Sequence, residues 1–401
     1  MRTRSRRNPS WLVALAVGGS FLLAGCAQFD NSAAGQTFVP APQLTPQGGP
    51  QPQLPGDDPA PRAPSGGGPA ASSTSIPPPQ GCKDFDPAVI ATCLDTVSAV
   101  AALPGDGSAP SAFGGERKSG RIMQATAGRP STEFATVPVV ATGDGGLTGL
   151  ALSPDYTEDQ LLFVYVTTDT DNRVLRLAKG QPPKAVLTGI PKGATGNHGT
   201  IATDGKSALL VATGDAGNPN AAADPNSLAG KVLRINTSGQ PATGNPVAGS
   251  AVVASGLHAP GGICESTDGA RLWVTDRLAD KDAIYRLQIG KPLTAPAWTW
   301  ADKPGVAGCA DFTGYVAVTT SIAGNMQDLP IAPDGSVTGK PTVTNDGKNG
   351  RSYGRLAGMS LINPQLAVAG TVNKDGGKPG SSDDRLVLIP RDQSQATGSK
   401  D

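Results

Sequence analysis

From about residue 120 onward, short apolar runs rich in β-branched and aromatic residues alternate with clusters of Gly, Asp, Asn and Pro. Leu161-Leu162-Phe163-Val164-Tyr165-Val166, Ala208-Leu209-Leu210-Val211-Ala212-Thr213, Arg271-Leu272-Trp273-Val274-Thr275 and Tyr315-Val316-Ala317-Val318-Thr319 have strand length and no helical period. An all-β domain is predicted. The one helix expected lies at Pro87 to Val100, ahead of the repeats. A degenerate unit recurs along the chain. A Pro-Asp or Asp-Gly turn is followed after a few residues by an apolar strand ending in Thr or near an Asp. It occurs at Pro154-Asp155, Asp204-Gly205 and Asp268-Gly269, with a weaker echo at Pro333-Asp334-Gly335. Spacings of roughly 50 to 65 residues suit propeller blades of four short strands. About 300 residues at that period make five or six blades, and a six-bladed β-propeller is the expected fold. A pair of β-sandwiches, the competing architecture, requires no such period.

The N-terminus follows a different pattern. Arg2, Arg4, Arg6 and Arg7 precede an apolar run from Trp11 to Leu23, and Leu23-Ala24-Gly25-Cys26 stands directly behind it. The run is shorter than the ~20 residues a membrane-spanning helix needs. Residues 1–25 therefore read as a lipoprotein signal peptide, with Cys26 as the lipid attachment site. The expected location is the extracytoplasmic face of the cell membrane. Residues 26–80 are dense in Pro, Gly, Ser and Gln, and bury too little to offset chain entropy, so a disordered tether is expected. A short Cys-containing segment with the one helix, packed on the propeller, is expected over 81–118. The propeller follows over 119–392 and a disordered tail over 393–401.

Lys and Arg together number 33, as do Asp and Glu, and no basic stripe is present, which argues against a nucleic-acid partner. Beyond Cys26, the cysteines are Cys82, Cys93, Cys264 and Cys309, an even set in an oxidising compartment. Two disulfides are expected, and pairing of neighbours, Cys82 with Cys93 and Cys264 with Cys309, is the preferred connectivity. A metal site is the alternative, although no C-x-x-C pair exists and the chain holds only 2 His.

Candidate chemistry centres on Asn197-His198-Gly199 and Thr213-Gly214-Asp215, which flank one of the repeated turns. If Ile201 to Thr203 pairs with Leu209 to Thr213 around Asp204 to Ser207, His198 comes to lie opposite Asp215 at an open blade end. A carboxylate beside an imidazole fixes its tautomer and raises its basicity, as a general base requires. A polar pair capping a strand end is the plainer reading.

The segment Asp144-Gly145-Gly146-Leu147-Thr148-Gly149-Leu150-Ala151-Leu152-Ser153-Pro154-Asp155-Tyr156 resembles the signature of soluble glucose/sorbosone dehydrogenases. These are six-bladed propellers that use pyrroloquinoline quinone. Asn197-His198-Gly199, Thr213-Gly214-Asp215, Leu228 to Asn236 and Ser255-Gly256-Leu257 follow in that family's order. With its lipobox and tether, the chain is also similar to envelope lipoproteins of actinobacteria. The resemblance implies that His198 is the base, Asp215 its orienting partner, and the cofactor a quinone bound with calcium through backbone carbonyls. Asp144, Asn197 and His258 stand at the corresponding cofactor-binding positions. Three departures from the pattern stand out. Gly256-Leu257-His258-Ala259-Pro260 replaces a Gly-Leu-Arg-Asn-Pro stretch, Lys281-Asp282-Ala283-Ile284-Tyr285 replaces an acidic one, and Asp144 stands where Glu or Gln is usual. Arg351, Arg355 and Arg385 are available for the family's C-terminal cationic contacts.

Plainer roles are expected elsewhere. Lys231 and Arg234 read as strand residues facing solvent or a neighbouring blade. Asn236-Thr237-Ser238 reads as turn chemistry. Trp298 and Trp300 suit either a sugar-binding rim or packing between blades. Two functions follow from all this. One is a quinone-dependent dehydrogenase oxidising a sugar or polyol. The other is a catalytically inactive propeller that binds a glycan, an envelope component or a protein partner.

Overall fold

The computed structural model describes residues 76–348 and 352–392. The signal peptide, Cys26, nearly all of the tether, Arg351 and the 393–401 tail lie outside the described residues. The remainder is six four-stranded antiparallel sheets. An opening strand β1 (Val89–Ala91) is set aside until the last blade. Blade one holds β2 (Val97–Ala102), β3 (Ser111–Glu116), β4 (Arg121–Thr126) and β5 (Thr132–Thr136). Blade two holds β6 (Leu147–Leu152), β7 (Leu162–Thr167), β8 (Asn172–Leu177) and β9 (Lys184–Ile190). In blade three these are β10 (Thr200–Thr203), β11 (Leu209–Ala212), β12 (Lys231–Ile235) and β13 (Val252–Ser255). Blade four has β14 (Pro260–Glu265), β15 (Leu272–Arg277), β16 (Asp282–Leu287) and β17 (Trp298–Trp300). Blade five has β18 (Val306–Asp311), β19 (Tyr315–Thr320), β20 (Met326–Pro330) and β21 (Thr342–Thr344). Blade six joins β22 (Leu356–Asn363), β23 (Leu366–Thr371) and β24 (Leu386–Pro390) to β1, which pairs with β24 and closes the ring.

The first strand of each blade lies innermost, so β2, β6, β10, β14, β18 and β22 ring the channel, each beside the next. Near the axis only small residues fit. A Cβ on Gly308 would collide with the Met359 backbone, and one on Gly358 with the backbone of Ser98 and Val100. Hydroxyls clasp neighbouring blades at this level. Ser98 donates to the Leu147 carbonyl (2.6 Å), Thr148 to Gly199 (2.7 Å), Thr275 to Ala307 (2.5 Å) and Thr319 to Ala357 (2.5 Å). The second strands are sandwiched on both faces. That is why β7, β11, β15 and β19 are the continuous apolar runs visible in the sequence, and β7 and β19 are buried at every residue.

Two expectations are corrected. No helix forms over Pro87 to Val100; that stretch is β1 and the start of β2, so the propeller begins well before residue 119. Its alanines favour a helix locally, but the axis demands small side chains. Cys93 (φ 55°) and Thr96 (φ 40°) take left-handed backbone between the two strands, which no helix tolerates. The turns at Pro154-Asp155, Asp204-Gly205 and Asp268-Gly269 all join first to second strands, whereas Pro333-Asp334-Gly335 joins β20 to β21. It is therefore not the same repeat position.

Both disulfides pair neighbours. Cys82–Cys93 fastens the opening segment, and Cys264–Cys309 ties β14 to β18 across blades four and five. Trp300 is buried and Trp298 half-buried in the packing between these blades, not on a rim. The Asn236 side chain accepts from the N–H groups of Ser238 and Gln240, an ordinary turn.

One buried carboxylate is poorly matched to its site. Asp328 on β20 accepts only from the Thr344 hydroxyl (3.0 Å), and its other oxygen has no partner among the described residues. Burial pushes its pKa up to about 7 from 3.8. A folded-state pKa above the unfolded one means the contribution is fully present below about pH 4 and is lost as pH rises through about 7. Asp328→Asn should therefore match the parent in urea unfolding at pH 4 and exceed it by roughly 4 kcal/mol at pH 8. A stability gap that does not widen over that range would show the carboxyl to be ionised without penalty.

Candidate functional site

Strand direction alternates within each blade, so the loops leading into the first strand and those joining the second to the third all emerge at one end of the channel. That end receives Asp144, His198 and His258 from loops of the first kind. Arg117, Asp215, Arg277 and Asp375 come from the second-strand ends or the loops of the second kind. Seven charged or titratable groups from blades one to four and blade six thus meet at one mouth.

His198 is set from three sides. Asp144, from the loop before β6, accepts the backbone N–H groups of Gly196 (2.9 Å) and Asn197 (3.2 Å), bolting the blade-two loop to the blade-three loop. Gly199 allows close approach to the blade behind, since a Cβ there would strike the Tyr165 ring. The imidazole Nδ1 lies 2.7 Å from the Pro260 carbonyl. A carbonyl oxygen can only accept, so Nδ1 must carry the proton and Nε2 is left as the bare acceptor. The ring is half-buried at the mouth, with partial solvent access. Burial and the Arg277 guanidinium lower its pKa to about 4, against the opposing pull of Asp144 and the Pro260 carbonyl. The ring is therefore neutral at ordinary pH.

The expected pairing of His198 with Asp215 is corrected. The β10–β11 ladder pairs Thr200 with Ala212 and Thr203 with Leu209, one residue out of the expected register. Continued past the strand end, that register sets Gly214 across from His198, and a Cβ on Gly214 would press on the His198 carbonyl. The turn spans five residues because the Asp204 carboxylate captures the N–H groups of Lys206, Ser207 and Ala208. Asp215 instead accepts from Gly217 N–H (2.8 Å), and its own N–H donates to the His258 carbonyl (2.9 Å). Burial holds its pKa above the usual carboxylate range.

The other expected site residues divide between framework and mouth. Asn197 is buried, with its amide bonded to both backbone groups of Gly193 (2.9 Å each) and to Asn172 (3.3 Å), so it braces the loop. His258 is half-buried with Nδ1 3.5 Å from Asp276, and its main-chain N–H donates to the same carboxylate. At 3.5 Å the ring contact is not a hydrogen bond. The neighbouring Asp276 carboxylate raises the His258 pKa. Arg355 reaches the same end and donates to the Asp375 carbonyl (2.9 Å), while Arg385 is taken up by Asp84 and Asp383. Lys231 is not a solvent-facing strand residue. It is fully buried, and its ammonium donates to the carbonyls of Ala221, Ala222 and Ala229 (2.7–2.9 Å), holding the loop that carries Asp215. Arg234 faces the turn, bound to Asp204.

Sequence reasoning missed Arg117 and Arg277. Arg117 donates to the carbonyls of Gly145 (2.8 Å) and Gly143 (3.3 Å) and to the Asp375 carboxylate (2.7 Å), which shapes the loop presenting Asp144. Arg277 ends β15 and donates through Nε to the Val306 carbonyl of blade five (2.8 Å). A signal existed: Asp276-Arg277 closes the apolar run at the same position in its blade as Thr213-Gly214-Asp215. A cavity of about 880 Å³ lies below this level. It begins at Ser98, Thr148, Thr200 and Gly261 and widens to the opposite mouth at Lys206, Glu265 and Asp268. No histidine lines it, so the imidazole chemistry lies at the other end.

The glucose/sorbosone dehydrogenase family model matches residues 100–314, over half of the chain. Aldose sugar dehydrogenase YliI of Escherichia coli is 28% identical over 204 residues, which cover 46% of this chain and 55% of that protein. The match thus spans little more than half of that relative's length. The PQQ-bound form of aldose sugar dehydrogenase from Streptomyces coelicolor superposes with a TM-score of 0.68 at 29% identity, over 75% of this chain and 96% of that one. An oxidoreductase (glucose dehydrogenase) of Thermus thermophilus gives 0.66 at 26% identity, over 75% and 98%.

Proposed function

This chain belongs to the glucose/sorbosone dehydrogenase family, and on that premise we propose that it is a quinone-dependent oxidoreductase acting on a sugar or polyol hydroxyl, with His198 as general base. One observation carries the reading. The Nδ1–H donated to Pro260 leaves a neutral imidazole whose Nε2 lone pair is free to take a hydroxyl proton. Asp144, Gly199 and Pro260 hold the ring from three directions, so little reorganisation is required when the proton moves.

The Streptomyces relative is PQQ-bound, and the residues at this mouth suit an anionic quinone. The Arg277 guanidinium offers fixed positive charge near His198, and the Asp276 carboxylate raises the pKa of His258 at the same mouth. When bound, the quinone supplies the two-electron acceptor for the hydride leaving the sugar carbon. A calcium ion beside the base does not fit as well. The Pro260 carbonyl is already taken, and Arg277 holds fixed positive charge there. The lipobox read at Cys26 would place this activity at the outer face of the cell membrane.

The test is saturable binding of pyrroloquinoline quinone to the full chain, followed by dye reduction with a panel of aldoses and polyols. Quinone binding with substrate-dependent reduction supports the reading; no binding sinks it. In that event the cavity of about 880 Å³ favours the second reading, a propeller that holds a glycan without turning it over.

A further inference from the structure

Arg277, half-buried at the channel mouth, lacks the carboxylate partner that six other arginines have. Arg117, Arg121, Arg173, Arg234, Arg271 and Arg385 each meet a carboxylate at 2.9 Å or closer. Arg277 meets none. Only its Nε is bonded, to the Val306 carbonyl, and among the described residues its two terminal nitrogens have no acceptor, nor are they sealed from solvent. Its backbone is nonetheless rigid, since its N–H donates to the Ala259 carbonyl, one residue from the Pro260 carbonyl that holds His198. A desolvated guanidinium fork, fixed at its base and open at its tip, is the geometry for bidentate capture of a carboxylate.

We propose that Arg277, with His258 on the same rim, is a carboxylate-recognition site whose filling primes His198 as the base. The carboxylate is either one borne by the quinone or one borne by an acidic sugar substrate, and the inference rests on the dehydrogenase reading only for the second half of the claim. The groups acting on His198 are Arg277, Arg117 and Asp144. Arg117 is already offset by Asp375, and Asp144 by the backbone N–H groups it accepts. Arg277, by contrast, is answered only at longer range by Asp282, Asp144 and Asp276. A bound carboxylate cancels the guanidinium charge and so removes one of the two main influences holding the imidazole's proton affinity down. Ligand capture and base activation become one event.

The experiment measures binding to the full chain of pyrroloquinoline quinone, of galacturonate and of neutral galactose, for the parent, Arg277→Gln and Arg277→Lys. Lys192→Gln, which removes a half-buried cation at the same end, is the control. Because the chain holds only 2 His, the His198 titration is followed by imidazole NMR with and without each ligand. Expected is at least a tenfold loss of affinity for an anion in Arg277→Gln, a smaller loss in Arg277→Lys, and no change for galactose. The same anion should move the His198 titration upward in the parent and not in Arg277→Gln. Loss confined to the quinone assigns the site to the cofactor, and loss confined to galacturonate assigns it to the substrate. Equal binding of both anions by parent and Arg277→Gln overturns the proposal while leaving the dehydrogenase reading intact. So does a His198 titration indifferent to the bound anion. If the quinone fails to bind the parent but galacturonate binds through Arg277, the dehydrogenase reading falls and the carboxylate fork stands. Binding of neither anion to the parent overturns both.

Discussion

His198→Ala should lower sugar-dependent dye reduction by the quinone-loaded protein about a thousandfold, with melting temperature and quinone affinity close to the parent's. A positioned general base contributes typically 10²–10⁴-fold. His198 is the imidazole whose tautomer the backbone dictates, through a 2.7 Å contact to Pro260. The effect should fall on kcat, since the proton is taken only as the reaction proceeds. Asp215→Asn is the telling companion. Were Asp215 the orienting carboxylate, its amide variant would impose the wrong tautomer and cost nearly as much. Since its carboxylate is bonded to Gly217 N–H, Asp215→Asn should cost less than about tenfold. A loss in Asp215→Asn equal to that in His198→Ala would restore the paired-residue mechanism and remove Pro260 from it.

Removing Cys264–Cys309 by the double change Cys264→Ala and Cys309→Ala should lower unfolding free energy by roughly 4 kcal/mol. The bridge closes a loop of 45 residues, and the chain entropy it withholds from the unfolded state sets that figure. It also ties β14 to β18, the inner strands of the two blades that Arg277 spans through its bond to Val306. Urea unfolding of parent and variant under oxidising conditions, with the reduced parent as a second reference, checks the value. A difference below about 1 kcal/mol would mean that the packing of blades four and five holds without the cross-link.

Legibility in the sequence followed burial. The second strands β7, β11, β15 and β19 were readable because both faces are covered, so their composition is apolar throughout. The inner strands were harder to read. β2 reads Val-Ser-Ala-Val-Ala-Ala, and nothing local distinguishes a strand at a crowded axis from a helix. β1 is three residues long and exists because β24 offers an edge some 300 residues away. Cysteine number pointed to two disulfides, and of three possible connectivities the structure holds the preferred pairing of neighbours. Lys231 was misplaced because a lysine in a strand is ordinarily at the surface, and only a loop folding three carbonyls over it makes burial tolerable.

The amino-acid sequence by itself determined the β-propeller, its blade period, the number of its cross-links and the histidine beside a repeated turn, since turn chemistry, apolar runs and residue type are local properties. Tertiary structure decided what that imidazole touches. A five-residue turn capped by Asp204 shifted the hairpin register by one, and side chains alternate faces with a period of two, so Asp215 was carried away from His198. Ring closure then brought the Pro260 carbonyl from blade four against the blade-three histidine and set the Arg277 guanidinium within reach of its charge. No local pattern encodes that meeting, because it depends on how two sheets pack around a common axis.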